Sequence, residues 1–474
     1  AEESLRKLAM LMAATALSTA TPAFADEASL QAEIAALKAQ LAAQSQLIAA
    51  QSKRLDDLAA QVKDNRELAA SASSASVAPS SPPSAPTAVA ANQASADASP
   101  SLPIGRPAQV AGVSIGSDTT IGGYGEIAYN AYVHDGSRNR ADLKRLVLFV
   151  GHRFNDKLSF NSELEVEHAI ASASDKGEFE VEQAYLNYAF KPSLNLKAGL
   201  FLMPFGFLNR NHEPPVFYGV ERNEVETRII PTTWREGGIG LWGDTPIGLS
   251  YDVGVTTGFN VAKFDDAGSP LAAAHQELQL AKAADLSVYG SLEYKGVPGL
   301  LVGGAVFHGG VVHRNADFRE DNTLPNFARI NSQVTLWDVH GRWQPKGFDF
   351  QALYARGTYS RADKIDSVLL AYNMANNAER PFFPSVFYGW LVQGAYSFPL
   401  GGEATLNPFI RYEKFDTQAK LPLGLVADPL NRDRILTVGF SFHPIQVVVV
   451  KIDYQKFFEN SRNNRFNLGI GYSF

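Results

Sequence analysis

Two groups of charged residues dominate what this sequence could do chemically. Residues 212–238 read HEPPVFYGVERNEVETRIIPTTWREGG, where Arg222, Arg228 and Arg235, with Arg210 just upstream, interleave with Glu213, Glu221, Glu224 and Glu226. In a second group Glu163, Glu165 and Glu167 alternate along one stretch, and Glu180 and Glu182 follow on the next. Guanidinium groups at a narrow passage attract anions and carboxylates attract cations, so together the two groups could set the field that a passing ion feels. Mixed charge runs also pair locally, which would make the arginine stretch a salt-bridged, packed loop. The five carboxylates fit either the acidic side of a constriction or a network with the loop arginines or with Lys144 and Arg145. Both alternatives stay open on the sequence.

Catalytic chemistry finds no foothold. His212-Glu213 is followed by Pro214-Pro215, which breaks the helix that a His-Glu-x-x-His metal site requires. No Gly-x-Ser-x-Gly or phosphate-cradling loop stands between a strand and a helix. The histidines at 308, 313 and 340 are scattered, and the absence of cysteine excludes a thiolate nucleophile, a thiolate metal site and a disulfide framework. The expectation is no enzyme, no cofactor and no metal.

The charged groups need a frame, and the chain from Thr119 onward supplies one. Turn residues recur at 155–156, 191–192, 244–246, 297–299, 344–347, 399–402 and 443–444. Between these short turns lie longer, more polar connections at 134–141, 171–177, 204–234, 260–283, 312–331, 361–384, 417–431 and 459–463. Strict alternation of short and long connections is the signature of a membrane barrel with both ends on one side. The seven tight turns join fourteen strands, and strands at 121–133 and 465–474 bring the count to about sixteen. Side chains alternate faces along a strand. Leu158, Phe160, Leu164 and Val166 thus oppose Ser159, Asn161, Glu163, Glu165 and Glu167, while Phe466, Leu468, Ile470, Tyr472 and Phe474 oppose Asn467, Gly469, Gly471 and Ser473. The charges fall opposite the apolar face and would line the interior. The inward basic candidates are Lys197, Arg342, Arg411, Lys451 and Arg465, with Asp252, Glu293, Asp338, Glu413 and Asp453 on the same face. The apolar residues Val216, Phe217, Tyr218, Ile229 and Ile230 of the third long connection should pack against something, since that loop is expected to fold inward. The terminal strand is expected to close the barrel against 121–133.

Residues 1–25 have the layout of a secretory signal peptide: Arg6-Lys7, an apolar run, then Ala23-Phe24-Ala25. Over residues 26–70, Leu30, Ile34, Leu37, Leu41, Ile48, Leu55, Leu58 and Val62 hold a seven-residue seam, which predicts an α-helical coiled coil and self-association, with a trimer plausible. Residues 71–118 are rich in Ala, Ser and Pro and read as a linker, leaving 119–474 for the barrel. The formal net charge of −7 and pI near 5.8 argue against nucleic-acid binding. A mean hydropathy of −0.12 excludes a helical membrane protein but suits a barrel, whose strands show lipid only every second residue.

The segments GGYGEIAYN (122–130), RLVLFVGHRFNDKLSFNSELEVEHA (145–169) and EFEVEQAYLNY (178–188), with the 212–238 loop, resemble the phosphate and pyrophosphate-selective porin family of bacterial outer-membrane proteins. That resemblance implies a trimer of sixteen-stranded barrels passing small anions past inward arginines and lysines, without a cofactor. The expected function is therefore passive diffusion of small anions or other small polar solutes across the outer membrane, with the coiled coil in the periplasm. The alternative is an outer-membrane anchor that tethers the envelope, and the cell wall in particular, through that coiled coil.

Overall fold

The computed structural model describes residues 112–115, 118–172, 175–314 and 326–474. The signal peptide, the coiled coil and nearly all of the linker expected from the sequence lie outside the described residues.

Sixteen antiparallel strands form one closed sheet. The first half consists of β1 Thr119–Tyr132, β2 Arg140–Arg153, β3 Leu158–Glu167, β4 Phe179–Lys191, β5 Leu194–Leu202, β6 Arg235–Asp244, β7 Leu249–Thr256 and β8 Ser287–Tyr294. The second half consists of β9 Leu300–Gly310, β10 Gln333–Trp343, β11 Phe348–Tyr359, β12 Val386–Tyr396, β13 Ala404–Lys420, β14 Arg432–Ile445, β15 Val448–Phe457 and β16 Arg465–Ser473. Each strand pairs with its successor, and β16 closes on β1 from Arg465↔Tyr132 to Ser473↔Tyr124. Closure leaves no unpaired edge, which is the only way a sheet can cross a hydrocarbon layer. Two short segments extend the sheet locally. Gly112–Ile115, in the stretch read as linker, pairs with the start of β1, and Phe398–Gly401 pairs with the start of β13.

The strand alternation sorts the two faces. Outward residues such as Ile127, Leu148, Ile239, Val255, Val306, Val339, Ile410, Val438, Ile452 and Leu468 are exposed. An apolar belt around the barrel far exceeds the few hundred Å² that a water-soluble surface tolerates, and it suits lipid. Inward residues are mostly polar or small.

Short and long connections alternate as the sequence predicts, with one local correction. The β14–β15 turn is not at His443-Pro444: β14 continues to Ile445, and those two residues form a bulge between Phe442↔Val450 and Ile445↔Val448. Proline has no N–H for the ladder, and a bulge accommodates it inside a strand.

The interior is largely filled. Connection 203–234 folds into the barrel and carries the short helix α1, Glu224–Arg228. It meets the next long connection and the wall in an apolar cluster around Trp234, whose ring lies 5.0 Å from Phe205, 5.1 Å from Phe259 and 4.9 Å from Phe307. A second helix, α2 Ala362–Asn376, adds Ile365 and Leu369 to the same cluster. Of the apolar loop residues, Phe217, Ile229 and Ile230 are buried, Tyr218 stacks on Phe409 at 5.7 Å, and Val216 stays exposed.

Candidate functional site: a charged cavity between the third loop and the wall

Loop 203–234 holds its shape through a few polar residues. Asn209 ties its two ends: Nδ2 donates to the carbonyls of Met203 and Trp234 at 2.7 and 2.8 Å, and Oδ1 accepts from the Trp234 amide at 2.7 Å. Glu226 staples the middle, accepting from the amides of Phe207 (2.6 Å) and Leu208 (2.7 Å) and from Asn223 Nδ2 (2.7 Å). Asn223 caps α1 by accepting from the Glu226 amide at 2.8 Å. Gly206 sits at φ +57, and a Cβ there would lie 2.2 Å from Glu226 Oε1, so only glycine fits.

The wall then grips the loop with carboxylates. Asp453 of β15 accepts from the Val220 amide at 2.6 Å, and Glu413 of β13 accepts from the Glu224 amide at 2.7 Å. Glu221 of the loop accepts from Lys144 Nζ and from Asn130 Nδ2, both at 2.9 Å. Burial would raise the Glu221 pKa, but Lys144 and Arg465 more than offset it and hold the carboxyl well below its usual range. On the closing strand the glycines make room: a Cβ on Gly471 would come within 2.2 Å of Pro214, and one on Gly469 within 3.0 Å of Val220.

Between loop and wall lies a cavity of about 180 Å³. Arg145, Glu165, Glu167 and Glu180 line it from the wall, Arg222, Thr232 and Thr233 from the loop, Arg235 from the start of β6, and His275 and Glu277 from the following connection. Each of its lining carboxylates is ion-paired to Arg145 or Arg235. Arg145 Nη1 is 3.2 Å from Glu165, its Nη2 3.6 Å from Glu167 and its Nε 3.6 Å from Glu126. Arg235 pairs with Glu180 and, at 3.1 Å, with Glu277. Arg222 is different: it is buried, and its Nε and Nη2 have no hydrogen-bond partner. Burial, and then the neighbouring Arg145, lower its pKa from the ordinary value.

The sequence-derived candidates therefore separate. Arg222 and Arg235 reach the cavity, although Arg235 is the first residue of a strand rather than part of the loop. Arg210 lies elsewhere, its Nη2 3.4 Å from Glu293. Arg228 pairs with Glu224 at 2.5 Å, donates to the Gly268 carbonyl and covers the Phe415 ring. On the wall, Glu165, Glu167 and Glu180 line the cavity, whereas Glu163 and Glu182 are buried beside His212. Lys197 is bound to Asp252 at 2.6 Å, Arg342 to Asp349 at 2.6 Å, and Arg411 to Glu413 at 3.2 Å. Lys451 is buried with its Nζ 3.5 Å from the Phe217 ring centroid and no hydrogen-bond partner. Sequence reasoning gave no role to Glu126, Asn209, His275 or Glu277, because nothing in their local pattern marks the distant groups they meet.

A closed sixteen-stranded antiparallel barrel with a loop folded into it is the architecture of outer-membrane porins. The solved structure of Salmonella typhi OmpF in complex with daunomycin shares this fold, with a TM-score of 0.51 at 15% identity, covering 75% of this chain and 97% of that one. Similarity also extends to the outer membrane channel DcaP of Acinetobacter baumannii (TM-score 0.46, 14% identity, 77% and 99% covered). The same holds for an anion-selective porin from Comamonas acidovorans (TM-score 0.46, 12% identity, 75% and 99% covered). No protein-family model matches the chain. An uncharacterized protein of Aquifex aeolicus (strain VF5) is 35% identical over 339 residues, 71% of this chain and 74% of that protein, and the chain belongs to the same family.

Proposed function

We propose that the protein is a bacterial outer-membrane channel for small anions, phosphate-like oxyanions among them, in which the loop–wall cavity is the narrow point. The observation that carries this reading is Arg222: among the described residues it forms no ion pair, in a cavity whose other arginines, Arg145 and Arg235, are each paired to carboxylates. A charge in such surroundings acts on a passing ion with little screening. The likeness to the porin fold and the apolar belt support placement in the outer membrane, and the resemblance of its first strands supports a trimer and phosphate as solute. The test is reversal-potential measurement on purified protein in planar bilayers, under chloride and phosphate gradients. A barrel that inserts and never conducts would sink the proposal.

The filled interior favours a second reading, an outer-membrane anchor. Inward side chains from strands all round the barrel, among them Ser250, Asp252, Leu353, Thr437, Ser441, Val449 and Gln455, are buried, so the described residues enclose no wide aqueous lumen. Deleting residues 26–118 separates the two roles. A channel keeps its conductance, and an anchor loses its hold on the rest of the envelope.

A further inference from the structure

We propose that Glu163, Glu182 and His212 form a binding site for a divalent transition-metal ion, Zn²⁺ being the probe of choice, that pins the third loop to the barrel wall. One ligand comes from β3, one from β4 and one from the loop, and a ligand atom from each lies within 4.8 Å of the others. All three side chains are buried.

The local hydrogen bonding prepares these atoms for a cation. His212 Nδ1 lies 3.3 Å from the Asn209 carbonyl oxygen, which accepts its proton and leaves the Nε2 lone pair facing the carboxylates. That Nε2 is 3.8 Å from Glu163 Oε1 and 3.7 Å from Glu182 Oε2. These separations are too long for hydrogen bonds. They are near the roughly 3.4 Å that separates neighbouring ligand atoms of a tetrahedral ion with bonds of about 2.0–2.1 Å. Gln183 holds the other oxygen of Glu163 at 2.6 Å, which fixes Oε1 toward the site. Neither oxygen of Glu182 has a hydrogen-bond partner, nor does His212 Nε2. Among the described residues no lysine or arginine is ion-paired to Glu163 or Glu182, so the two buried carboxylates that face His212 have no lysine or arginine to balance them. Such an arrangement is costly unless a cation is shared.

The backbone has been adjusted to produce it. The β3–β4 register shifts between Glu163 and Leu164, so that Glu182 and Gln183, adjacent in sequence, both turn inward opposite Glu163. Bulges of this kind re-aim side chains near functional sites. Two carboxylates and one imidazole suit Zn²⁺, Mn²⁺ or Fe²⁺ better than Ca²⁺ or Mg²⁺, and three protein ligands leave a place for water. The sequence shows no metal motif because the ligands are brought together by strand pairing and loop insertion.

The experiment uses the full chain, folded in detergent, stripped with EDTA and dialysed against micromolar Zn²⁺. About one zinc per chain is expected in the native protein and in His308→Gln, a control at an exposed histidine. Zinc affinity should fall more than about 100-fold in Glu182→Gln and His212→Gln, beyond the 10–100-fold typical of outer-shell partners. X-ray absorption on the zinc-loaded native protein does not depend on any variant folding. It should show one imidazole nitrogen among oxygen donors. A native protein that retains no zinc, equal retention in His212→Gln, or a spectrum with several imidazoles would each overturn the site.

Discussion

Replacing Arg222 by Gln removes the one cavity guanidinium that forms no ion pair among the described residues, and the size of the effect can be worked from the geometry. A sphere of about 180 Å³ has a radius of roughly 3.5 Å, so an ion at its centre sits about 5 Å from a lining guanidinium. At an effective dielectric of about 20 this gives about 3 kcal/mol for a monovalent anion. Mobile ions at 0.1 M salt and the neighbouring carboxylates reduce that to the order of 1 kcal/mol. Because a cation is relieved by as much as an anion is weakened, the anion-to-cation permeability ratio should drop on the order of 30-fold. Stability should change little, because Arg222 Nε and Nη2 make no hydrogen bond to lose. The assay is the zero-current potential across a bilayer under a KCl gradient, with Arg228→Gln as the comparison. Arg228 is paired to Glu224 and does not line the cavity, so its neutralisation should leave the potential unchanged. If Arg222→Gln leaves the potential unchanged in a folded barrel, or if Arg228→Gln shifts it equally, the cavity is not where ions are selected.

Glu226→Ala strips the staple from the third loop and leaves three donors without acceptors, a destabilisation on the order of 3 kcal/mol or more, read by urea unfolding. An unfolding midpoint like that of the native protein would show that the staple is not needed. Gly471→Leu drives a side chain into Pro214 and should push the loop from the wall, raising single-channel conductance while the barrel stays closed. The Glu221 latch makes a pH prediction. Its folded pKa is depressed, so its contribution is present above the unfolded value of about 4.3 and disappears only as pH falls through the lower folded value. Conductance and thermal stability should thus hold from pH 7 to about pH 4.5, and a loop that undocks at pH 5.5 would contradict the pairing with Lys144 and Arg465.

The barrel was legible because its signals are local. A turn needs Pro or Gly at a given position, and a face needs only alternation, so Lys191-Pro192 and the 465–474 strand declare themselves without reference to the rest of the chain. The misplaced turn at His443-Pro444 shows the limit: proline stops a ladder equally well as a bulge, and choosing between them takes the partner strand. The site was legible as residue types and not as pairs. Glu163 and Glu165 look alike in sequence, two apart on one inward face. One meets Arg145 and the other meets His212, because the bulge in β4 and the path of the loop decide their neighbours.

That difference bears on what the inward acids of the wall do. Asp252, Glu293, Asp338, Glu413 and Asp453 share the face with as many basic candidates, so by count alone these two sets favour neither sign of ion. In the structure each has a local partner. Asp252 binds Lys197 and Tyr289, Glu293 meets Arg210 and Lys295, Asp338 meets His340, and Glu413 and Asp453 accept amides from the loop. A carboxylate that accepts a buried amide is anchoring backbone, and its charge is largely compensated where it stands. The field in the cavity is then set by its own lining, Arg145, Arg222 and Arg235 against Glu165, Glu167, Glu180 and Glu277. Counting charges along strands therefore says little about the selectivity of this barrel, because most of the inward charges are matched where they stand.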